Sequence, residues 1–260
     1  MANRDAGYVA LLDGATNTAT RINGVVYGAD CVVVNPVTNK IYVGNGGNTI
    51  SMIDAANNNN VSTITVATNN GLGGTAGRYA TSYIAVNQTT NKIYAVNYYS
   101  NSVTVIDGVT NSTTTVPVST VNPTYIAINP ATNKIYVASY GGNIVTVING
   151  ANNKTSTITV VGTDSISAIA VNPVTNKVYV AGVTWPNASM TVIDGATNST
   201  SRFALSSAPF RIVVNSVTNR IYATQNGNMT VIDGTNNSTS LVSGMSTTSM
   251  VLQYTRPWGR

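Results

Sequence analysis

Histidine and glutamate are absent from this 260-residue sequence, and all eight of its acidic residues are aspartates. A Ser-His-Asp triad, or any other mechanism that needs an imidazole base, is therefore excluded. Charged residues make up only 8% of the chain, far below the usual quarter, so Thr, Asn, Ser and Gly must supply the solvated surface. Such a surface favours an extracellular or cell-surface setting, although the first residues, Met-Ala-Asn-Arg-Asp, lack the pattern of a signal peptide.

Three further absences limit the function. Cys31 is the only cysteine, so an internal disulfide is excluded. No apolar run approaches the roughly 18 residues that a membrane span needs, so we expect no membrane insertion. The net charge of +5 is spread along the chain, whereas nucleic-acid-binding proteins concentrate charge in a patch. We therefore expect no nucleic-acid partner, and we expect a monomer.

What the sequence does contain is a repeat. The segment Asn129–Tyr136 reads Asn-Pro-Ala-Thr-Asn-Lys-Ile-Tyr, and close copies begin at Asn35, Asn87, Asn172 and Asn215. Successive copies start 52, 42, 43 and 43 residues apart. A regular period of this size indicates a repeat architecture, and its regularity favours one closed array.

Each repeat contains four short runs with strand character. In the third copy these are Tyr125–Asn129, Lys134–Ser139, Asn143–Ile148 and Thr155–Val160, which are rich in Val, Ile, Thr and Tyr. No stretch shows the 3.6-residue apolar period of a helix. Four antiparallel strands that recur at this period are typical of β-propeller blades. The predicted fold is all-β: a six-bladed β-propeller of four-stranded antiparallel blades, forming a single domain over residues 1–260.

Two turns recur with the strands. The first, Asn-Pro-x-Thr-Asn-Lys, joins the first two strands of a blade; proline presets φ, and Asn tolerates the left-handed conformation. The second follows the third strand and usually reads Asp-Gly, where Asp accepts backbone N–H bonds and Gly is expected to supply a positive φ. Asn149 replaces the aspartate in one copy, which indicates that the repeated carboxylate serves the turn rather than catalysis.

The two turn types differ in number, and the difference indicates where the two ends of the chain meet to close the array. There are six turns of the Asp-Gly type but five of the Asn-Pro type. Residues 8–23 form the third and fourth strands of a blade, although no first strand precedes them. Met250–Gln253, near the C-terminus, matches the first, innermost strands of the other blades. We therefore predict that the N-terminal strands and residues 246–260 complete one shared blade, which removes open sheet edges. Neither Ala2–Ala6 nor Tyr254–Trp258 resembles a second strand, so this blade is expected to be three-stranded or irregular.

These repeats resemble the YVTN-type β-propeller family, named for a Tyr-Val-x-Asn core in its second strand. That core stands here as Tyr42-Val-Gly-Asn45 and Tyr94-Ala-Val-Asn97, with looser copies at Tyr136, Tyr179 and Tyr222. The resemblance implies a surface-layer or secreted binding propeller of bacteria or archaea. Similar propellers include lyases and lactonases that work at the axial pocket, commonly with a divalent metal, and the streptogramin B lyase type depends on histidine. Because this chain has no histidine, no catalytic residue is carried over.

Variation in loop length predicts where a ligand would bind. The connection from one blade to the next is uniform except after Asp54, where a Gly-rich segment, Ala67–Ser82, lengthens it. The connection between the second and third strands also varies and is longest at Val183–Ser189. Both connections open on the face opposite the uniform turns, and variable loops on a rigid scaffold usually carry function.

Aromatic and basic residues on that face form the predicted ligand-binding set. They would suit an anion, because Arg makes bidentate hydrogen bonds to a carboxylate or phosphate, or a sugar, because aromatic rings stack on the sugar ring. The alternative interpretation is that the tyrosines pack the loops and that Arg211 pairs with Asp30 or Asp164. The set is Tyr27, Arg78, Tyr79, Tyr83, Tyr98, Tyr99, Tyr125, Tyr140, Trp185, Phe210 and Arg211, of which Tyr83, Tyr125 and Arg211 are expected at the mouth of the axial channel.

The catalytic candidates are Asp30, Arg211 and Cys31. No imidazole exists to activate the Cys31 thiol, and a small buried apolar residue is the simpler interpretation of it. Asp30 and Asp164 could hold Ca²⁺ or Mg²⁺ with carbonyl oxygens and water, or act as an acid/base pair.

Two hypotheses follow. The first is a binding propeller that presents its loop-rich face to a glycan, a small anion or a protein. The second is a hydrolase or lyase that acts on an ester, lactone or phosphoester at the axial pocket. Such an enzyme would use a carboxylate-bound metal, or Arg and Tyr as electrophiles.

Overall fold

The computed structural model describes residues 7–26, 28–29, 31–45, 48–66, 84–225 and 227–244, and the backbone of the short strand Ala2–Asn3. This part of the chain consists of strands, turns and bends, and it contains no helix that is long and apolar enough to cross a membrane. Its 23 strands form six antiparallel sheets, each built from strands that are consecutive in the sequence. The repeated four-stranded pattern predicted from the sequence is confirmed.

The sheets are numbered in chain order. Sheet 1 contains β1 (Ala2–Asn3), β2 (Tyr8–Leu12) and β3 (Ala19–Asn23). Sheet 2 contains β4 (Cys31–Asn35), β5 (Lys40–Gly44), β6 (Thr49–Asp54) and β7 (Asn60–Thr65), and sheet 3 contains β8 (Ile84–Asn87), β9 (Lys92–Asn97), β10 (Ser102–Asp107) and β11 (Thr113–Pro117). Sheet 4 contains β12 (Tyr125–Asn129), β13 (Lys134–Ala138), β14 (Ile144–Asn149) and β15 (Thr155–Thr159). Sheet 5 contains β16 (Ser165–Asn172), β17 (Lys177–Thr184), β18 (Asn187–Asp194) and β19 (Thr200–Leu205), and sheet 6 contains β20 (Arg211–Asn215), β21 (Arg220–Gln225), β22 (Asn228–Asp233) and β23 (Thr239–Ser243).

Sheet 1 contains three strands in the described part of the chain. The two residues of β1 pair with Tyr8 and Val9 and take the place of a second strand, so the expectation of a three-stranded or irregular sheet is met there. The predicted contribution of residues 246–260 to this sheet lies outside the described residues.

The chain divides into two compact units, Met1–Thr159 and Val160–Arg260. The prediction of one domain over residues 1–260 stays a prediction. Within each unit, apolar clusters form between the faces of successive sheets. In the first unit, Tyr42 and Ile50 of sheet 2 pack with Ile93 of sheet 3. In the second unit, Tyr179 of sheet 5 packs with Ile221 of sheet 6. The middle strand β9 has a sheet on both sides, because Ile93 packs toward sheet 2 and Tyr94 packs toward sheet 4, and its residues are therefore apolar on both faces.

The two repeated turns meet at one end of each of sheets 2 to 6, which we call the turn end. In sheet 3 the N–H of Gly108, in the second turn, donates to the carbonyl of Asn91, in the first turn, at 2.9 Å. The same bond joins Gly150 to Asn133 at 2.8 Å. The variable connections therefore lie at the opposite end of each sheet, which we call the loop end.

The expected role of the turn glycine is wrong. The positive φ falls on asparagines, such as Asn91 at 51° and Asn111 at 60°, and not on Gly108. Glycine is needed at position 108 because a Cβ there would lie 2.7 Å from the backbone oxygen of Asn91. The steric demand comes from the close approach of the two turns.

The repeated Asn and Lys side chains join neighbouring sheets at the turn end. The first Asn of a repeat donates from Nδ2 to the Oδ1 of the positive-φ Asn of the next sheet, and the Lys Nζ donates to the next sheet's turn-glycine carbonyl. These contacts join Asn35 to Asn91 (2.7 Å), Asn87 to Asn133 (2.9 Å), Asn172 to Asn219 (2.9 Å), Lys40 to Gly108 (2.8 Å), Lys92 to Gly150 (3.3 Å) and Lys177 to Gly234 (3.1 Å). Arg220, which replaces the Lys, instead pairs with Asp233 of its own sheet at 2.9 Å.

The hydrogen bonds that the turn aspartates accept predict that the stability of the fold decreases in acid. The Asp194 Oδ1 accepts the backbone N–H groups of Thr197 and Ala196, both at 2.9 Å, and these bonds lower the pKa of Asp194 below its ordinary value of 3.8. A lowered pKa in the folded state means that the stabilisation is present above the ordinary value and is lost as the pH falls through the lowered one. Asn149 Oδ1 accepts the equivalent bond from Ala151 at 2.9 Å without titrating in this range.

We expect Asp194→Asn to fold normally and to lose less stability than the parent protein when the pH falls from about 6 to about 2. Asn149→Asp should show the reverse, with a steeper loss. Thermal denaturation midpoints across this range measure both changes. Equal pH profiles for the parent protein and both variants would contradict the assignment.

Candidate functional site

The exposed aromatic residues lie at the loop ends of the sheets. Among the large hydrophobic side chains of the described residues, four aromatic ones are exposed: Tyr99 (47%), Tyr140 (50%), Trp185 (88%) and Phe210 (53%). The first three lie in connections between second and third strands, and Phe210 immediately precedes β20. None of the four lies at a turn end.

In the first unit, the loop end of sheet 3 is a fixed aromatic surface. The rings of Tyr98 and Tyr99 meet edge to face, with centroids 4.9 Å apart and planes at 83°. The following Asn101 is tied to the connection that leads into sheet 4. Its Oδ1 accepts the N–H of Asn122 at 2.7 Å, and its carbonyl accepts the N–H of Val118 at 2.9 Å. The loop therefore presents Tyr99 from an anchored backbone.

Tyr140 and Tyr125 differ in exposure at the loop end of sheet 4. Tyr125 pairs with Ala138 across the sheet and is only 5% exposed, so little of its surface is available to a ligand. Tyr140 follows β13 and is half exposed.

In the second unit, sheet 5 extends further at its loop end than the other sheets. Its first three strands have eight residues each, whereas β13 has five and β21 has six. The added rungs pair Val183 with Ala188 and Thr184 with Asn187, and the hairpin between them carries Trp185. Asp164 is exposed at this end, and its N–H donates to the Val183 carbonyl at 2.9 Å.

Phe210 and Arg211 lie at the loop end of sheet 6. The N–H of Phe210 donates to the carbonyl of Thr224 at 2.9 Å, which fixes the start of β20. Arg211 is half-buried, and it makes no ion pair with Asp164 or any other described residue. Beside it, Gln225 is buried; its Oε1 accepts hydrogen bonds from the Ser206 and Ser207 hydroxyls, and its Nε2 donates to Thr230 at 2.9 Å.

Several predicted residues lie outside the described part of the chain: Tyr27, Asp30, Arg78, Tyr79 and Tyr83. The ion pair expected between Asp30 and Arg211 therefore stays a prediction, as does a metal site at Asp30. Within the described ranges, no group of three or more His, Cys, Asp or Glu side chains could hold a metal ion.

Cys31 packs in an apolar environment. It is partly buried against the cluster that contains Ile84 of sheet 3, and its Sγ occupies the space that a Cβ at Gly44 would fill. These contacts favour the apolar interpretation over the nucleophile.

A buried amide at the end of the second strand has no counterpart in the sequence-based site. The Asn97 Nδ2 donates to the hydroxyls of Ser102 and Thr104, both at 3.0 Å. In sheet 2 the Asn45 Nδ2 donates in the same way to the hydroxyls of Thr49 and Ser51, both at 3.1 Å. The sequence signal that could have identified this amide is the Asn that stands three residues after the Tyr of the second strand, at Asn45 and Asn97. These amides join the end of the second strand to the start of the third strand at the loop end.

Comparison with known proteins places the fold. One similar solved structure is the crystal structure of selenomethionine-substituted virginiamycin B lyase from Staphylococcus aureus, at a TM-score of 0.74 and 10% identity, covering 92% of this chain and 78% of that chain. The chain is a six-bladed β-propeller. No family model and no curated protein matches the sequence. Because 1353 solved chains match and the identity to this one is 10%, the likeness shows the fold alone.

Proposed function

We propose that this propeller is a ligand-binding protein of the YVTN type, acting at the cell surface or outside the cell as a monomer. Its ligand is a glycan, held by aromatic side chains at the loop ends, with arginine available for an acidic sugar. The observation that carries this proposal is the distribution of exposed aromatic rings. All four exposed aromatic side chains among the described residues lie at loop ends, whereas the exposed large hydrophobic side chains of the repeated turns, such as Val37 and Val109, are aliphatic.

The physical argument is the cost of exposing these rings. Leaving a ring such as that of Trp185 in water forgoes roughly 1.5 to 3 kcal/mol of stability that its burial would contribute. The exposed rings therefore do not stabilise the fold, and a binding role accounts for them. Sugar rings present C–H faces that stack on aromatic rings, and their hydroxyl groups find partners among the Ser, Thr and Asn of the loops. The anchored backbone at Asn101 reduces the entropy lost on binding.

Binding to an immobilised glycan panel tests the proposal. Trp185→Ala and Tyr99→Ala are each expected to weaken binding about tenfold or more, because a stacked ring contributes about 1 to 2 kcal/mol. Val109→Ala, at a residue that is 76% exposed at a turn end, is the matched control and should bind as the parent does. Retention of full affinity by both aromatic variants would overturn the proposal.

The alternative is a hydrolase or lyase, with which the name of the similar structure, virginiamycin B lyase, is consistent. Such an enzyme would act on an ester, lactone or phosphoester without histidine. Arg211 would then be an electrophile, and Asp30 and Asp164 would hold a divalent Ca²⁺ or Mg²⁺ ion. Turnover of a panel of these substrates that is lost in Asp30→Ala and Arg211→Ala would support this alternative. Glycan binding that needs no metal and no turnover would support the binding protein.

A further inference from the structure

The three described segments at the loop end between sheets 3 and 4 carry no charged side chain. They are the hairpin loop 98–101 of sheet 3, the connection 118–124 and the hairpin loop 139–143 of sheet 4, all within the first unit. From residue 97 to residue 143 the sequence contains two charged residues, Asp107 and Lys134, and both lie at the turn end. In the second unit, by contrast, Asp164 and Arg211 both lie at loop ends.

The connection 118–124 is fixed to both of the sheets that it joins. On sheet 3, Asn101 accepts two of its backbone N–H groups, at 2.9 and 2.7 Å. On sheet 4, the hydroxyls of Thr120 and Thr146 share a hydrogen bond at 2.7 Å, and the N–H of Thr120 donates to the same Thr146 hydroxyl at 3.2 Å. The connection therefore presents Val121, which is 65% exposed, from a backbone that is held on both sides.

Tyrosines lie at the loop ends of both sheets that this connection joins. Tyr98 and Tyr140 are equivalent, since each stands four residues after the tyrosine of its second strand. Tyr99 adds an exposed ring edge to face with Tyr98, and Tyr140 is followed by Gly141, which adds no side chain beside the ring. Packed sheets lie about 10 Å apart, so a ligand that contacts Tyr99 and Tyr140 together needs more than one sugar ring.

We propose that this surface binds a neutral oligosaccharide. The inference rests on the proposed function and selects neutral over acidic sugars for this part of the site. An acidic sugar would lose hydration here without a cation in these three segments to replace it, which costs free energy. A neutral sugar avoids that cost. Its C–H faces contact Tyr99, Val121 and Tyr140, and its hydroxyl groups bond to the Ser, Thr and Asn side chains of the loops. A stable protein partner would need about 800 Å² on each side, which three partly exposed side chains do not supply.

Calorimetric titration of the whole protein with two matched pairs of tetrasaccharides tests the charge class. The pairs are cellotetraose with β-1,4-tetraglucuronate and β-1,4-mannotetraose with β-1,4-tetramannuronate, whose members differ only in the carboxylate at C6. At least one neutral member is expected to bind with a dissociation constant of about 1 mM or below, and its acidic counterpart about tenfold more weakly. Tyr99→Ala and Tyr140→Ala should each weaken binding of that neutral member about tenfold.

Val121→Lys places the missing cation on this surface at an exposed position. It is expected to strengthen binding of the acidic member about tenfold, because a charge-assisted hydrogen bond becomes available, and to change the affinity for the neutral member by less than about threefold. Val109→Lys is the matched control. It makes the same substitution at an exposed valine at the turn end of sheet 3, beyond the Debye length of about 8 to 10 Å, and should leave both affinities unchanged.

Several results would overturn the inference. They are equal or tighter binding of the acidic members, full affinity in both tyrosine variants, and an equal gain from Val109→Lys, which would assign the effect to net charge. Binding of an acidic glycan that depends on Trp185 and not on Tyr99 would overturn this inference and leave the proposed function in place. Failure of every glycan, neutral or acidic, to bind would overturn both.

Discussion

The protein is expected to unfold as the pH rises from about 10 to about 12, because buried tyrosines hold their protons in the folded state. Tyr42, Tyr94 and Tyr179 have no exposed surface, and burial raises the pKa of each from 10.0 to about 12. The negative charges of Asp107 and Asp54 add to this effect at Tyr42, and that of Asp233 adds to it at Tyr179.

The sign follows from proton linkage. In the unfolded chain each tyrosine ionises near pH 10, whereas in the folded chain it keeps its proton until about pH 12, so stability falls across this interval. At about 1.4 kcal/mol per pKa unit, each tyrosine removes roughly 2 kcal/mol by pH 12. Three of them remove an amount comparable to the 5 to 15 kcal/mol that a typical domain possesses.

Tyr94→Phe separates this effect from general alkaline damage. The Tyr94 hydroxyl has no hydrogen-bond partner among the described residues, so its removal should change stability at neutral pH by no more than about 1 kcal/mol. The same variant should move the alkaline unfolding midpoint upward, and combination with Tyr42→Phe and Tyr179→Phe should move it further. Tyr140→Phe, at a half-exposed tyrosine, is the control and should leave the midpoint in place.

Circular dichroism and tyrosinate absorption, recorded together during an alkaline titration, measure the outcome. The two signals should change together for the buried tyrosines. An alkaline midpoint that is the same in the triple variant and in the parent protein would refute the linkage.

Gly108→Ala is expected to lower the free energy of unfolding by about 2 to 4 kcal/mol and the melting temperature by about 5 to 10 °C. The added Cβ would lie 2.7 Å from the Asn91 carbonyl oxygen, which is fixed backbone. Relieving that contact separates the two turns and disturbs two hydrogen bonds. These are Gly108 N–H to Asn91 O at 2.9 Å and Lys40 Nζ to Gly108 O at 2.8 Å.

Gly14→Ala is the matched control for this prediction. Gly14 occupies the same place in the turn of sheet 1, but a Cβ there would meet nothing within 4 Å. Its melting temperature should stay within about 2 °C of the parent protein's, with a small rise expected because alanine restricts the unfolded chain. Equal destabilisation by both substitutions would show that turn geometry, and not the close approach, requires the glycine.

The candidate site could be predicted only in part. Loop length and aromatic content correctly placed Tyr99, Tyr140 and Trp185 at the loop ends, because those positions follow from strand order alone. The burial of Tyr125 could not be read from the sequence, since it depends on how sheet 4 packs.

By itself the sequence determined the strands, their order in each sheet and the places of both turns. Those features depend on contacts within one repeat, and in the third copy the observed Tyr125–Asn129 and Lys134–Ala138 agree with the predicted strands to within one residue. The tertiary structure decided the roles of the repeated side chains. Lys40 and Gly108 are 68 residues apart in the chain, and the hydrogen bond between them exists only when two sheets are packed together. The repeat therefore specifies each sheet locally, while its most regular residues serve contacts between sheets that only the folded chain brings within hydrogen-bond distance.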